Sequence, residues 1–139
     1  MVLQGIYALV EPARHGRALR AYVDALVAGG IRLFQVRAKT GLEAAALATV
    51  LASVHAAKGI VLVNDDVEAG LQADGVHLGA EDVAGLDLRA LRARLGARVL
   101  GLSCGTPAEA RALAPGIADY LGVGPIFATG SKADAGGPI

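Results

Sequence analysis

Side chains able to handle a phosphate group recur along this 139-residue chain, each just after a short apolar run. Leu33-Phe34 leads into Gln35-Val36-Arg37-Ala38-Lys39. Alternate residues of an extended chain share a face, so Gln35, Arg37 and Lys39 could point together. Two cations and an amide on one face suit a phosphate or diphosphate, although a basic surface loop would show the same spacing. Ile60-Val61-Leu62-Val63 runs into Asn64-Asp65-Asp66. An acidic pair beside such a run is costly unless it is solvated, caps a helix or holds a metal. Asp66 is the natural helix cap, which leaves Asn64 and Asp65 for a site. Gly75-Val76-His77-Leu78 is followed by Glu81 and Asp82. Asp82 could join Asp65 around Mg²⁺, an ion that takes one or two carboxylates and completes its shell with water and phosphate oxygens. Glu81 reads as a solvated loop residue, and His77, inside its strand, as a structural hydrogen-bonded histidine.

The next run, Val99-Leu100-Gly101-Leu102, releases Ser103, Cys104, Gly105 and Thr106. Ser103 could donate to a phosphate. Cys104 has no basic neighbour in sequence to lower its pKa and reads as inert packing. The last stretch, Gly122 to Lys132, holds glycines whose amides can approach an anion, with Thr129, Gly130, Ser131 and Lys132 beyond them. It lacks the Walker spacing of a nucleotide-binding loop.

The elements that must hold these groups alternate regularly. Strands are expected at 5–10, 33–36, 60–63, 75–78, 99–102 and 118–122. Leu19, Tyr22, Val23, Leu26 and Val27 mark a first helix that ends at Gly29-Gly30. Leu47, Val50, Leu51 and Val54 mark a second, residues 67–71 a short third, and Leu88, Leu91 and Leu95 a fourth. Thr106-Pro107-Ala108-Glu109 combines a capping hydroxyl, Pro at the first helical position and Glu at the third, which predicts the start of a fifth. Repeated strand-helix units imply parallel strands joined by right-handed crossovers. An open doubly wound sheet and a closed eight-stranded barrel both satisfy that pattern, and in both the active site lies where the strands end.

Composition narrows the function classes. Hydrophobic residues make up 54% of the chain and the formal net charge is zero, so no general attraction to nucleic acid or an anionic membrane is implied. One cysteine excludes an internal disulfide and fits a reducing cytoplasm. No apolar run nears the roughly 18 residues that cross a bilayer, and no signal peptide is expected at the N-terminus. The reading is a soluble cytoplasmic protein with no nucleic-acid or membrane partner.

Five ordered blocks resemble the thiamine-phosphate synthase family. They are Gln35-Val36-Arg37-Ala38-Lys39, Val63-Asn64-Asp65-Asp66, Asp74-Gly75-Val76-His77-Leu78-Gly79 with Asp82, Gly101-Leu102-Ser103, and Asp119 through Phe127 to Lys132. The resemblance implies a TIM-type (β/α)8 barrel, an α/β fold, of which residues 1–139 would form a single, incomplete domain of about six strand-helix units lacking the C-terminal part. It implies a transferase that joins hydroxymethylpyrimidine diphosphate to thiazole phosphate, giving thiamine phosphate and pyrophosphate with Mg²⁺. Carried over by position, Gln35, Arg37, Lys39, Asn64, Ser103 and Lys132 would hold the pyrimidine diphosphate, with Arg37, Ser103 and Lys132 catalytic. Asp65 and Asp82 would bind Mg²⁺, and Thr129, Gly130 and Ser131 the thiazole phosphate.

A thiazole tautomerase of the same fold and a non-catalytic phosphate-binding barrel are the alternatives. The family often carries His two residues after the serine, where this chain has Gly105, and that weakens the tautomerase reading. The family also continues through two further strands and their glycine-rich loops, so the expectation is either that a C-terminal part follows residue 139 or that the fragment depends on a partner chain, and that on its own it is inactive. A homo-oligomer is left open.

Overall fold

Every apolar run becomes a strand in the computed structural model, which describes residues 3–83, 85–113 and 115–127. The strands are β1 (Tyr7–Val10), β2 (Leu33–Val36), β3 (Ile60–Asn64), β4 (Gly75–Leu78), β5 (Val99–Cys104) and β6 (Tyr120–Val123). Between them lie α1 (Leu19–Ala28), α2 (Ala44–Ala56), α3 (Val67–Gln72), α4 (Ala80–Val83), α5 (Leu88–Leu95) and α6 (Pro107–Ala112). Two 3-10 turns, Pro12–Arg14 and Gly16–Ala18, and the helix α4 were not expected, because each is too short to show an apolar period. The strands follow one another in the sheet in chain order, β1-β2-β3-β4-β5-β6. The β1–β2, β2–β3 and β5–β6 ladders are parallel. A doubly wound sheet reverses its strand order at a switch point. This order never reverses, which leaves the barrel class of the two that the periodicity allowed.

Contacts divide the chain into two compact units, Met1–Val76 and His77–Ile139. In the first, α1 buries Leu19 and Val23, and α2 buries Leu47, Val50 and Val54, at the spacings that place them on one helix face. They pack with Val10, Phe34, Val36, Val61 and Val63 of the strands. Full burial of each such side chain is worth roughly 1.5–3 kcal/mol. Gly29 and Gly30 end α1 as expected, Gly30 at φ +93°, a conformation that favours glycine. The second unit buries Leu78, Leu91, Leu95, Val99, Leu100, Leu102 and Ile117.

The same aspartate device occurs once in each unit. Asp74, just before β4, exchanges bonds with Val61: its carboxylate accepts from the Val61 N–H at 2.8 Å, and its own N–H donates to the Val61 carbonyl at 3.0 Å. His55 also donates to that carboxylate, at 2.8 Å. Asp119, just before β6, does the same with Leu100, at 2.7 and 2.8 Å, and takes a further bond from Arg92 at 2.8 Å. Each aspartate thus ties the start of one strand to an earlier strand. Because Asp119 is occupied in this way, β6 begins at Tyr120 rather than at Ala118.

Candidate functional site

The end of β2 turns into the cationic segment under direct backbone control. The Arg37 N–H donates to the Val10 carbonyl at 2.9 Å, which extends the β1–β2 pairing by one residue. From there Arg37 and Lys39 line a cleft of about 1030 Å³, together with Arg17, Arg20, Glu11 and Glu43. Arg20 is drawn to Asp24 at 3.3 Å. Among the described residues, the side chains of Arg17, Arg37 and Lys39 have no hydrogen-bond or ion-pair partner. Unneutralised cations on one concave wall attract an anion strongly. Arg17 escaped the sequence reading. It sits in a 3-10 turn after β1, and the only hint was a cation shortly after a strand end.

Gln35 does not join that wall. It is 5% exposed within β2, and its amide donates to the Tyr7 hydroxyl at 2.9 Å. Expected strand alternation put it beside Arg37, which lies one residue past the end of β2. The structure therefore brings Arg37 and Lys39 together and keeps Gln35 inside the sheet.

A smaller recess of about 230 Å³ lies between Ala38, Gly41 and Leu42 on one side and Val63 to Asp66 on the other. Asp66 is committed as expected: it caps α3, its carboxylate accepting from the Ala69 N–H at 2.9 Å. Asp65 stands in the left-handed region at φ +63°. Aspartate tolerates that conformation better than most residues, yet it is uncommon and tends to mark functional sites. The Asn64 side-chain amide donates to the exposed Asp65 carboxylate. Its oxygens are hard donors of the kind Mg²⁺ takes. No three His, Cys, Asp or Glu side chains cluster as a metal cage among the described residues. A cation held at Asp65 would therefore draw further ligands from water and a bound phosphate.

In the second unit, Ser103 lies near the end of β5 and its Oγ is 2.9 Å from His77 Nε2. The other ring nitrogen, Nδ1, is 2.8 Å from the Tyr120 hydroxyl. The His77 and Tyr120 rings stack, with centroids 5.5 Å apart. His77 is 9% exposed, and burial holds its pKa below the usual 6.5. Both its ring nitrogens are hydrogen-bonded, as expected from its place inside β4. Gly101 makes the arrangement possible. A Cβ there would overlap the Tyr120 ring and hydroxyl.

Cys104 is buried beside Ser103, and burial, reinforced by the Glu109 charge, pushes its thiol up. That fits an inert packing role. Thr106 caps α6, accepting from the Glu109 N–H at 3.2 Å, while Glu109 accepts from the Gly105 N–H at 2.8 Å. Glu81 and Asp82 are exposed in the first turn of α4, so Glu81 sits in a helix rather than in the loop expected. Thr129, Gly130, Ser131 and Lys132 lie outside the described residues.

Sequential parallel strands with cations, a hard carboxylate and a fixed hydroxyl at their C-terminal ends define an α/β protein of the TIM-type barrel class. The chain belongs to the thiamine monophosphate synthase family, whose model matches residues 6–139. It is 44% identical over 141 residues to the thiamine-phosphate synthase of Xanthobacter autotrophicus, covering 96% of this chain and 65% of that protein. With the thiamine-phosphate synthase of Geobacillus kaustophilus it shares 45% identity over 115 residues, covering 77% of this chain and 51% of the relative. The solved thiamine phosphate pyrophosphorylase from Pyrococcus furiosus superposes with a TM-score of 0.69 at 26% identity, over 87% of this chain and 60% of that one. The chain thus spans half to two thirds of the length of the relatives it matches.

Proposed function

We propose that the protein carrying this chain is a magnesium-dependent thiamine-phosphate synthase. It would condense hydroxymethylpyrimidine diphosphate with thiazole phosphate to give thiamine phosphate and pyrophosphate. The observation that carries the reading is the cationic cleft: Arg37 and Lys39, with no partner among the described residues, line it together beside Arg17 at the ends of parallel strands. Family membership supplies the chemistry that such a cleft would serve.

In this reading Arg37 and Lys39 grip the diphosphate, and Ser103 and Lys132 add donors to it. Gln35 and Asn64 would also hold the diphosphate; Gln35 is in addition bonded to Tyr7, and Asn64 to Asp65. The bond between the pyrimidine methylene carbon and the diphosphate oxygen breaks, and its electron pair leaves with pyrophosphate. The aminopyrimidine ring spreads the positive charge left on the methylene. The thiazole nitrogen then gives its lone pair to that carbon, so no proton has to move and no protein nucleophile is required. Preorganised cations lower such a barrier because charge develops on the departing oxygens. Asp65 and Asp82 would hold Mg²⁺, which when bound offsets charge on the leaving group. Thr129, Gly130 and Ser131 would hold the thiazole phosphate. The reaction would run in the cytoplasm on small phosphorylated substrates.

The tautomerase alternative gains nothing from Gly105, whose missing side chain would point at Glu109 Oε2, 3.7 Å from a Cβ. The test is pyrophosphate release by the full-length protein on mixing both substrates, with and without Mg²⁺. Arg37→Ala and Lys39→Ala should each cost about 2–4 kcal/mol of barrier. Turnover that ignores both substitutions and metal removal would refute the assignment.

A further inference from the structure

We propose that His77 is a positioning residue for Ser103: it accepts from the Tyr120 hydroxyl, donates to Ser103 Oγ, and so leaves the serine proton aimed at the bound diphosphate. The inference rests on Ser103 being a diphosphate ligand. Its physical basis is the pair of contacts at the two ring nitrogens, 2.8 Å to Tyr120 and 2.9 Å to Ser103.

A neutral imidazole carries one N–H and one lone pair, so only two proton arrangements fit this chain of groups. In one, Tyr120 donates to Nδ1, the Nε2–H donates to Ser103, and the serine O–H remains to be given away. In the other, Ser103 donates to Nε2 and the Nδ1–H is given to Tyr120. The serine then presents only lone pairs to an approaching anion, which repels it. A phenol is also the more acidic of the two hydroxyls and therefore the better donor to an imidazole nitrogen. Both considerations select the Nε2–H tautomer. Burial keeps the ring neutral, as the arrangement requires.

Two glycines frame the assembly. Gly101 leaves room for the Tyr120 ring to lie over β5 and reach His77. Gly122 stands opposite Ser103 in the β5–β6 register. A Cβ on it would sit 3.5 Å from His77 Cε1 and 3.9 Å from Ser103 Oγ. With no side chain there, the hydroxyl is not covered from β6.

Imidazole ¹⁵N shifts of the labelled full-length protein test the tautomer without any assay of turnover. An Nε2–H ring is expected, and an Nδ1–H ring would overturn the proposal. Steady-state kinetics give the second reading. In His77→Gln the amide reaches the place of Nε2 and keeps the bond to Ser103. In His77→Asn it reaches only the place of Nδ1 and keeps the bond to Tyr120. We expect the Gln variant to hold kcat within about threefold, and the Asn variant to lose roughly ten- to a hundredfold, as a charge-assisted hydrogen bond is worth. Ser103→Ala should lose a similar factor, and adding His77→Asn to it should cost nothing more. KM for the thiazole phosphate should stay constant throughout. Equal losses in Gln and Asn, or losses that multiply with Ser103→Ala, would mean a merely structural histidine. If Ser103→Ala is impaired and His77→Asn is not, this inference alone fails. If Ser103→Ala is as active as the parent, the assignment of Ser103 falls and the inference with it.

Discussion

Replacing Gly101 by alanine adds a single methyl group, yet it should be among the costlier substitutions in the second unit. The new Cβ would overlap Cζ, Cε1 and the hydroxyl of Tyr120, so the ring has to move. Forcing an extra methyl into a packed site costs about 1–3 kcal/mol. The displaced ring also gives up its 2.8 Å bond to His77 and its stacking on that imidazole, together worth a further ~1–2 kcal/mol. The sum is about 2–5 kcal/mol, a large share of the ~5–15 kcal/mol that holds a domain folded. Urea unfolding followed by circular dichroism measures it. The decisive comparison is the same substitution in a Tyr120→Ala background, where there is no ring to strike. There Gly101→Ala should be neutral or stabilising by up to ~1 kcal/mol, because alanine suits a strand better than glycine. An equal loss in both backgrounds would refute the steric argument, since two residues in contact must show a coupling energy.

Three further outcomes follow from particular contacts. Asp74→Ala removes the acceptor for the Val61 N–H and for His55, and should cost about 2–3 kcal/mol in urea unfolding, the range for bonds to a charged group. Asp65→Gly relieves a left-handed backbone and should hold or raise the melting temperature while raising the Mg²⁺ concentration that the proposed reaction requires; a lower melting temperature would show that the Asn64–Asp65 pair matters more than the strain. Burial depresses the pKa of His77 below 6.5, so in that window the unfolded chain binds a proton that the folded one does not. The histidine's contribution is therefore intact above about pH 6.5 and declines as pH falls below it, and the slope of stability against pH should flatten there in His77→Gln.

The strand and helix positions could be read from the chain because they depend on local periodicity. Four apolar residues at 60–63 and the Leu88, Leu91, Leu95 spacing each allow one regular structure. Helix starts were legible for the same reason: Asp66 and Thr106 cap the turns that immediately follow them. The burial of Gln35 and its bond to Tyr7 were not legible, because they depend on a residue of the neighbouring strand. Arg17 was overlooked because its importance comes from a wall it shares with Arg37 and Lys39, residues remote in sequence.

From its residues alone the chain determined the strand-helix alternation, the parallel strands and the polar groups at their ends. These follow from side-chain pattern and backbone preference, which act over a few neighbours. Local periodicity could not choose the barrel over the doubly wound sheet, because both folds share one local pattern; the family resemblance implied the barrel, and the strand order bears it out. Nor could local periodicity give the bond of Ser103 to His77, the Tyr120 ring over Gly101 or the left-handed turn at Asp65. Each depends on which distant atoms meet, and packing between strands decides that.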